Sequence, residues 1–354
     1  MSQPETPYLA LELDVMERNL SRAAHDAELK GIALRPHAKT HKMPEIARRQ
    51  LAHGAIGLSL ATVSEAEIFA DAGIDDIFIA YPVWPSAARV QRLRALAERI
   101  TLRVGVDSIE SAQLLGAGLP RDLVEVLIEI DSGHHRSGVH PESAGAVAAA
   151  ARDAGLRVGG VFTFPGHSYG PGLGAPAAHD EANTIAAATA SLAGEGIEAV
   201  IRSGGSTPSW HSFDGSAFTE GRPGVYVFND AQQLELETCT LADIAVTVVS
   251  TIVSRHGNDI VVDAGSKVLG ADRAPWATGY GRLLEVPDAR IHAISEHHAT
   301  IRFPDDVAIP PLGSTVRVIP NHVCNTVNLA EEVSVVQGGE IIATWVVAAR
   351  GANT

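Results

Sequence analysis

From about residue 14 to about residue 230, short β-type runs alternate with Ala-rich helical stretches. This alternation constrains the fold more than any other feature of the chain. Candidate strands fall at 32–38, 56–61, 76–81, 100–107, 123–131, 156–164, 198–203 and 223–229, and candidate helices at 64–72, 86–98, 141–154 and 179–193. A further helix is predicted over 14–30, with Asp14 as its N-cap and Gly31 as its stop. Apolar strands alternating with helices imply a parallel sheet covered on both faces. Eight such units predict a closed (β/α)8 barrel in preference to an open doubly wound sheet.

After about residue 240 the pattern changes. Runs at 244–253, 259–263, 290–294, 298–303, 315–319 and 341–347 are β-rich and joined by Gly, Pro and Asp turns. They predict an antiparallel β domain. The early run 7–13 is assigned to the same sheet. The expected domains are therefore a barrel at 14–240 and a β domain at 1–13 plus 241–354.

The 27 Lys+Arg against 42 Asp+Glu give a formal charge of -15. That balance argues against nucleic acid or an anionic membrane as partner. No apolar run is long enough to span a bilayer. Two cysteines, Cys239 and Cys324, do not make a disulfide framework, and the N-terminus lacks the basic and apolar regions of an export signal. A cytoplasmic protein acting on small molecules is expected. Only four lysines are present, Lys30, Lys39, Lys42 and Lys267, so any lysine chemistry has few candidates.

In a barrel of this kind the residues after the strand C-termini face the active site. Those positions carry Arg35–Lys42, then Thr62 and Ser64, Tyr81, Asp107, Asp131–Gly138, Pro165–Tyr169, Ser203–Thr207 and Tyr226. Lys39 is flanked by Arg35, His37, His41 and Lys42. Neighbouring cations favour the neutral amine and hence Schiff-base chemistry; the plainer alternative is a solvated loop lysine. The loop Ser203-Gly204-Gly205-Ser206-Thr207 can bring several N–H and hydroxyl donors to one phosphate. It lacks the lysine of a triphosphate-binding loop. A Schiff-base lysine with a single phosphate cup suggests pyridoxal 5'-phosphate (PLP). His322-Val323-Cys324, read as an extended segment, puts an imidazole and a thiol on one face. That pair prefers zinc and leaves room for water and substrate; ordinary packing is the alternative. Glu296-His297-His298 is read either as a ligand-orienting group or as a turn.

Together, RPHAKTHK, EIDSGHHRSG, PGHSY, SGGSTP, GVYVFND, VDAGSK, SEHH and PNHVCNTVNL resemble the D-serine dehydratase / D-threonine aldolase family, the metal-dependent branch of the alanine-racemase-like PLP enzymes. The resemblance covers nearly the whole chain. It implies a PLP-binding barrel of the alanine racemase type with a C-terminal antiparallel β domain. It implies PLP on Lys39, Arg136 beside the ring oxygen, and His167 and Tyr169 in the loop that meets the pyridine ring. Gly204, Gly205, Ser206, Thr207 and Tyr226 are implied at the phosphate, and His322 and Cys324 at a metal. The family's usual glycine after Glu-His is His298 here. His-X-Cys with zinc is a dehydratase trait, whereas many aldolases carry His-X-Asp with a harder ion such as Mn2+. The resemblance thus implies a homodimeric lyase. It would convert a D-β-hydroxy amino acid, such as D-serine or D-threonine, to a 2-oxo acid and ammonia. Retro-aldol cleavage to glycine and an aldehyde is the second reading, and a non-catalytic PLP-binding protein the third.

Overall fold

The structure is a computed structural model that describes residues 4–354; residues 1–3, part of the expected 1–13 segment, lie outside the described residues. The chain divides into two compact units. One takes Arg22–Lys39, Ile46–Gly224 and Ala352–Thr354; the other takes the N-terminus through Ser21, Thr40–Glu45 and Val225–Gly351.

In chain order, β1 (Tyr8–Glu12) leads into α1 (Leu13–Leu29), and Gly31, at φ +68°, ends that helix as its sequence predicts. Asp14 lies inside the first turn rather than at the cap. The parallel strands follow as β2 (Ala33–Leu34), β3 (Leu58–Leu60), β4 (Asp76–Pro82), β5 (Thr101–Val106), β6 (Glu125–Ile130), β7 (Arg157–Thr163), β8 (Ile201–Gly204) and β9 (Glu220–Gly221). Between them run α2 (Pro44–Ala52), α3 (Val63–Asp71), α4 (Ala87–Ala97), α5 (Ile109–Gly118), α6 (Ala144–Asp153) and α7 (Gly174–Gly194). The sheet order is β2-β9-β8-β7-β6-β5-β4-β3. A parallel bridge between His37 and Ser59 joins the two outer strands, so the sheet closes on itself. Its strands are apolar on both faces: Ile77, Phe78 and Ile79 are all buried, as are Leu127 and Ile128. The fold of this unit is therefore the closed α/β barrel that the alternation predicts.

The eighth strand is the exception. It is Glu220–Gly221, not 223–229, and Val225–Val227 form a 3-10 turn. Pro223 has no N–H to give a ladder, which ends the strand early. Thr62, one of the polar strand-end residues, caps α3: its hydroxyl accepts from Glu65 N–H at 3.1 Å, and Glu65 accepts from Ala61 N–H at 2.7 Å.

The second unit is built on α8 (Ala231–Glu235), β10 (Val246–His256), β11 (Asp259–Val262), α9 (Ser266–Leu269), β12 (Gly281–Leu283), β13 (Arg290–Ile294), β14 (Ala299–Arg302), β15 (Thr315–Pro320), α10 (Val323–Leu329), β16 (Glu332–Gln337) and β17 (Glu340–Val346). Its nine-stranded sheet runs β11-β14-β13-β12-β15-β10-β1-β16-β17, with β11 also paired to β10. Six strands therefore form a closed ring, and β1 extends it through a parallel pairing with β16. Val248, Ile260, Ile291, Ile301 and Val318 fill its core. The strands β12 and β16 and the helices α2 and α5 are not among the elements the sequence pattern predicts.

Candidate active site

Lys39 sits in a 3-10 turn, Ala38–Thr40, just beyond β2. Its Nζ lies 5.4 Å from the centre of the Phe164 ring. The Arg136 guanidinium lies 5.2 Å from the same ring and 5.7 Å from Tyr81. Tyr169 packs against Phe164 at 6.2 Å, and His134 meets it edge-on at 5.6 Å. Phe164 is thus a platform around which Lys39, Arg136 and Tyr169 gather, and the electron-rich ring face suits two cations. It follows the last residue of β7, where an aromatic reads as core, so sequence reasoning did not single it out.

The cations expected to flank Lys39 are mostly occupied elsewhere. Arg35 is buried, with Nε 2.8 Å from Glu220 and Nη1 2.5 Å from Asp76. Its charge is spent at the far end of the strands. Lys42 donates to Ala349 O at 3.4 Å.

Asp131 shapes the loop after β6. Its Oδ1 accepts from Gly133 N–H and His135 N–H, each at 2.9 Å, and Oδ2 faces His135 Nδ1 at 2.7 Å. Burial alone would raise its pKa, but those contacts hold the carboxyl below the usual carboxylate range. The turn carries Arg136 toward the Phe164 ring. Gly133, at φ +118°, leaves space for His167: a Cβ there would lie 3.2 Å from that ring. His167 Nε2 is 3.4 Å from Asp180, an ion-pair separation, and neither buried ring nitrogen makes a hydrogen bond among the described residues.

The glycine loop is held from behind. Gly205, at φ +85°, donates its N–H to Glu181 at 2.6 Å. Ser206 Oγ lies 2.8 Å from Ser168 Oγ and 2.9 Å from Ser209 Oγ, and Ser206 N–H donates to Ser209. Thr207 is buried beside them. A Cβ on Gly204 would collide with Glu181 at 2.5 Å, so the residue must be small. Two backbone donors expected for a phosphate, those of Gly205 and Ser206, instead hold the loop in shape. Desolvation pushes Glu181 up to about 8 and Glu129, on β6, up to about 7.

Tyr226, His322 and Cys324 belong to the other unit. Tyr226 is buried in the 3-10 turn Val225–Val227. The His-X-Cys segment is not an extended strand. His322 has extended backbone and caps α10, and Cys324 occupies that helix's first turn. The two side chains nevertheless meet. Burial works against a charged His322, but the adjacent Cys324 and the Asp272 carboxylate hold its pKa well above the usual histidine value. Asp272 pairs with His322 Nδ1, which leaves Nε2 as the nitrogen open to a metal. Cys324 Sγ lies 3.3 Å from Thr40 Oγ1. No cluster of three or more potential ligand side chains occurs among the described residues. An imidazole oriented by a carboxylate and set beside a thiol is a soft donor pair of the kind a transition metal takes. Glu296, His297 and His298 form an exposed turn in which Glu296 pairs with Lys267 at 2.7 Å.

Comparison with known proteins agrees with this architecture. Residues 11–232 match the alanine racemase N-terminal domain, and residues 245–336 match the putative serine dehydratase domain. The chain belongs to the D-serine dehydratase / D-threonine aldolase family of alanine-racemase-like PLP enzymes, whose members include dehydratases and aldolases acting on D-amino acids. It is 34% identical to D-threo-3-hydroxyaspartate dehydratase of Delftia sp. over 91% of each chain. It is 33% identical to D-threonine aldolase of Arthrobacter sp. over 99% of this chain and 94% of that one. The solved structure of the Delftia dehydratase superposes with a TM-score of 0.89 at 31% identity, covering 97% of both chains.

Proposed function

We propose that this protein is a PLP- and zinc-dependent dehydratase that converts a D-β-hydroxy amino acid, such as D-serine or D-threonine, to a 2-oxo acid and ammonia. PLP, when bound, supplies the electron sink for a carbanion at Cα. The Lys39 turn, the glycine loop with its small Gly204 and Gly205, and His167, whose buried Nδ1 makes no hydrogen bond among the described residues, suit a cofactor ring and its phosphate. Lys39 Nζ is the base that takes the Cα proton. Arg136 would bind the cofactor's ring oxygen, and Tyr169 would pack against its ring. Gly204, Gly205, Ser206, Thr207 and Tyr226 would hold the phosphate. His322 and Cys324 would hold a zinc ion, which supplies Lewis acidity at the substrate hydroxyl.

The observation that carries the choice of dehydration is the His322–Cys324 pair with Asp272 on its imidazole. The relatives support it. One solved variant of the Delftia dehydratase replaces a cysteine by alanine and is described as the metal-free form, and another replaces a histidine two positions earlier. Incubation with D-threonine and zinc is the test: 2-oxobutyrate is expected, and glycine with acetaldehyde would make the protein an aldolase. None of the described helices is long and apolar enough to cross a membrane. We assign the protein to the cytoplasm as a homodimer, to be checked by light scattering.

A further inference from the structure

A buried carboxylate fastens the His-X-Cys turn from below. Asp230 ends the segment Gly224-Val225-Tyr226-Val227-Phe228-Asn229-Asp230 and is 1% exposed. It caps α8, with Oδ1 accepting from Gln233 N–H at 2.9 Å. Its other oxygen accepts from Val323 N–H at 3.1 Å. Val323 is the residue between His322 and Cys324. One side chain therefore caps its own helix and also takes the N–H at the start of α10. The backbone reinforces this link, because Gln232 N–H donates to Asn321 O at 3.2 Å. Asn321 Nδ2 in turn donates to Asp272 O at 3.0 Å, and Asp272 holds His322. On the Asp230 side, Asn229 takes a left-handed conformation at φ +54° and donates its amide to Tyr226 O and Asp243 O, at 3.3 and 3.2 Å. The segment is thus pinned at both ends before it reaches the His-X-Cys turn.

We infer that Asp230 is a positioning residue for the metal pair: through Val323 N–H it fixes the turn that sets His322 and Cys324 facing each other. The inference rests on the metal reading of that pair. Groups that orient ligands commonly change metal affinity by 10- to 100-fold when removed. The two oxygens can be separated by mutation. In Asp230→Asn the amide oxygen still caps α8, since Asn is a good N-cap. Its NH2 group, however, is a second donor facing Val323 N–H. Asp230→Ser also keeps a cap but has no second oxygen to reach Val323.

The test uses the PLP-loaded protein stripped of metal, with wild type, Asp230→Asn, Asp230→Ser and Cys324→Ala side by side. Zinc affinity is read by competition with a chromogenic chelator. The site geometry is read from the thiolate-to-metal absorption band with Co2+. The expected result is roughly tenfold weaker zinc binding in both Asp230 variants, with a weakened Co2+ band and an unchanged PLP absorbance. If Asp230→Asn does not fold, Asp230→Ser decides. Wild-type zinc affinity with an unaltered Co2+ band in a folded Asp230 variant overturns the inference. If wild type and Cys324→Ala bind zinc equally and neither gives the Co2+ band, it is the metal reading of His322 and Cys324 that fails.

Discussion

The two ends of the parallel barrel handle charge in opposite ways. Near the strand starts, ions form an unbroken ladder. Arg157 pairs with Glu125 at 3.1 Å, Glu125 with Arg103 at 2.7 Å, Arg103 with Asp76 at 2.7 Å, and Asp76 with Arg35, which also holds Glu220. Toward the strand ends, several buried polar atoms have no hydrogen-bond partner among the described residues: one oxygen each of Glu129 and Glu181, Nε of Arg222, and Nδ1 of His167. Arg222 is buried over Phe78 and Phe162, 5.6 and 5.3 Å from their centroids. A native core satisfies nearly all such groups, so the paired end is built for stability and the other end for something the chain does not itself supply.

That contrast can be broken in four ways. At the active end, Lys39→Ala should abolish the PLP absorption band and lower turnover by on the order of 10^3 or more, since it removes both attachment and base; an unchanged band sinks the assignment. At the paired end, Glu220→Ala leaves buried Arg35 with a lost partner, so chemical denaturation should show a loss of about 3–5 kcal/mol. Cofactor affinity should be unaffected, and a large drop would mean that the two ends are not independent. A third prediction concerns pH. Glu181 and Glu129 have folded pKa values raised above their unfolded ones, so the folded state binds more protons between about pH 4.5 and 8. Their contribution to stability is therefore intact below the unfolded value and lost as pH rises through about 7 to 8. Glu181→Gln should flatten the fall of the melting temperature across that window, and an unchanged slope would show that Glu181 ionises normally. The smallest effect is expected for Arg157→Ala. Arg157 is half exposed, and Glu125 keeps Arg103, so less than about 1 kcal/mol should be lost.

What the sequence made legible follows the same division. Lys39, Arg136 and the glycine loop stand at strand ends, where polar residues in apolar surroundings are conspicuous. The spacing of His322 and Cys324 was equally visible, but not the local backbone. A two-residue spacing puts side chains on one face of a strand, whereas here the cap of α10 brings them together. Phe164 was hidden because an aromatic after a strand looks like core. Asp272 was hidden because it meets His322 across 50 residues, and Asp230 because its partner lies 93 residues on. The eighth strand was misplaced because the apolar run 225–228 outweighed Pro223, although the chain had already left the sheet. Arg35 was visible but assigned the wrong neighbours, since local sequence cannot tell which end of a barrel a long side chain seeks.

The closure of the barrel has a kinetic consequence. β2 pairs with β9 over two residues, and its side facing β3 is joined by the bridge from His37 to Ser59, with backbone bonds from Ile56 to Leu34 and from Ser59 to Pro36. The seam beside Lys39 is thus the thinnest join in the barrel, and the amides of Ile56 and Ser59, which donate across it, should exchange with solvent sooner than those of β5 and β6. A ligand that binds the folded protein at Lys39 stabilises the closed seam by mass action, so loading should slow exchange of the Ile56 and Ser59 amides.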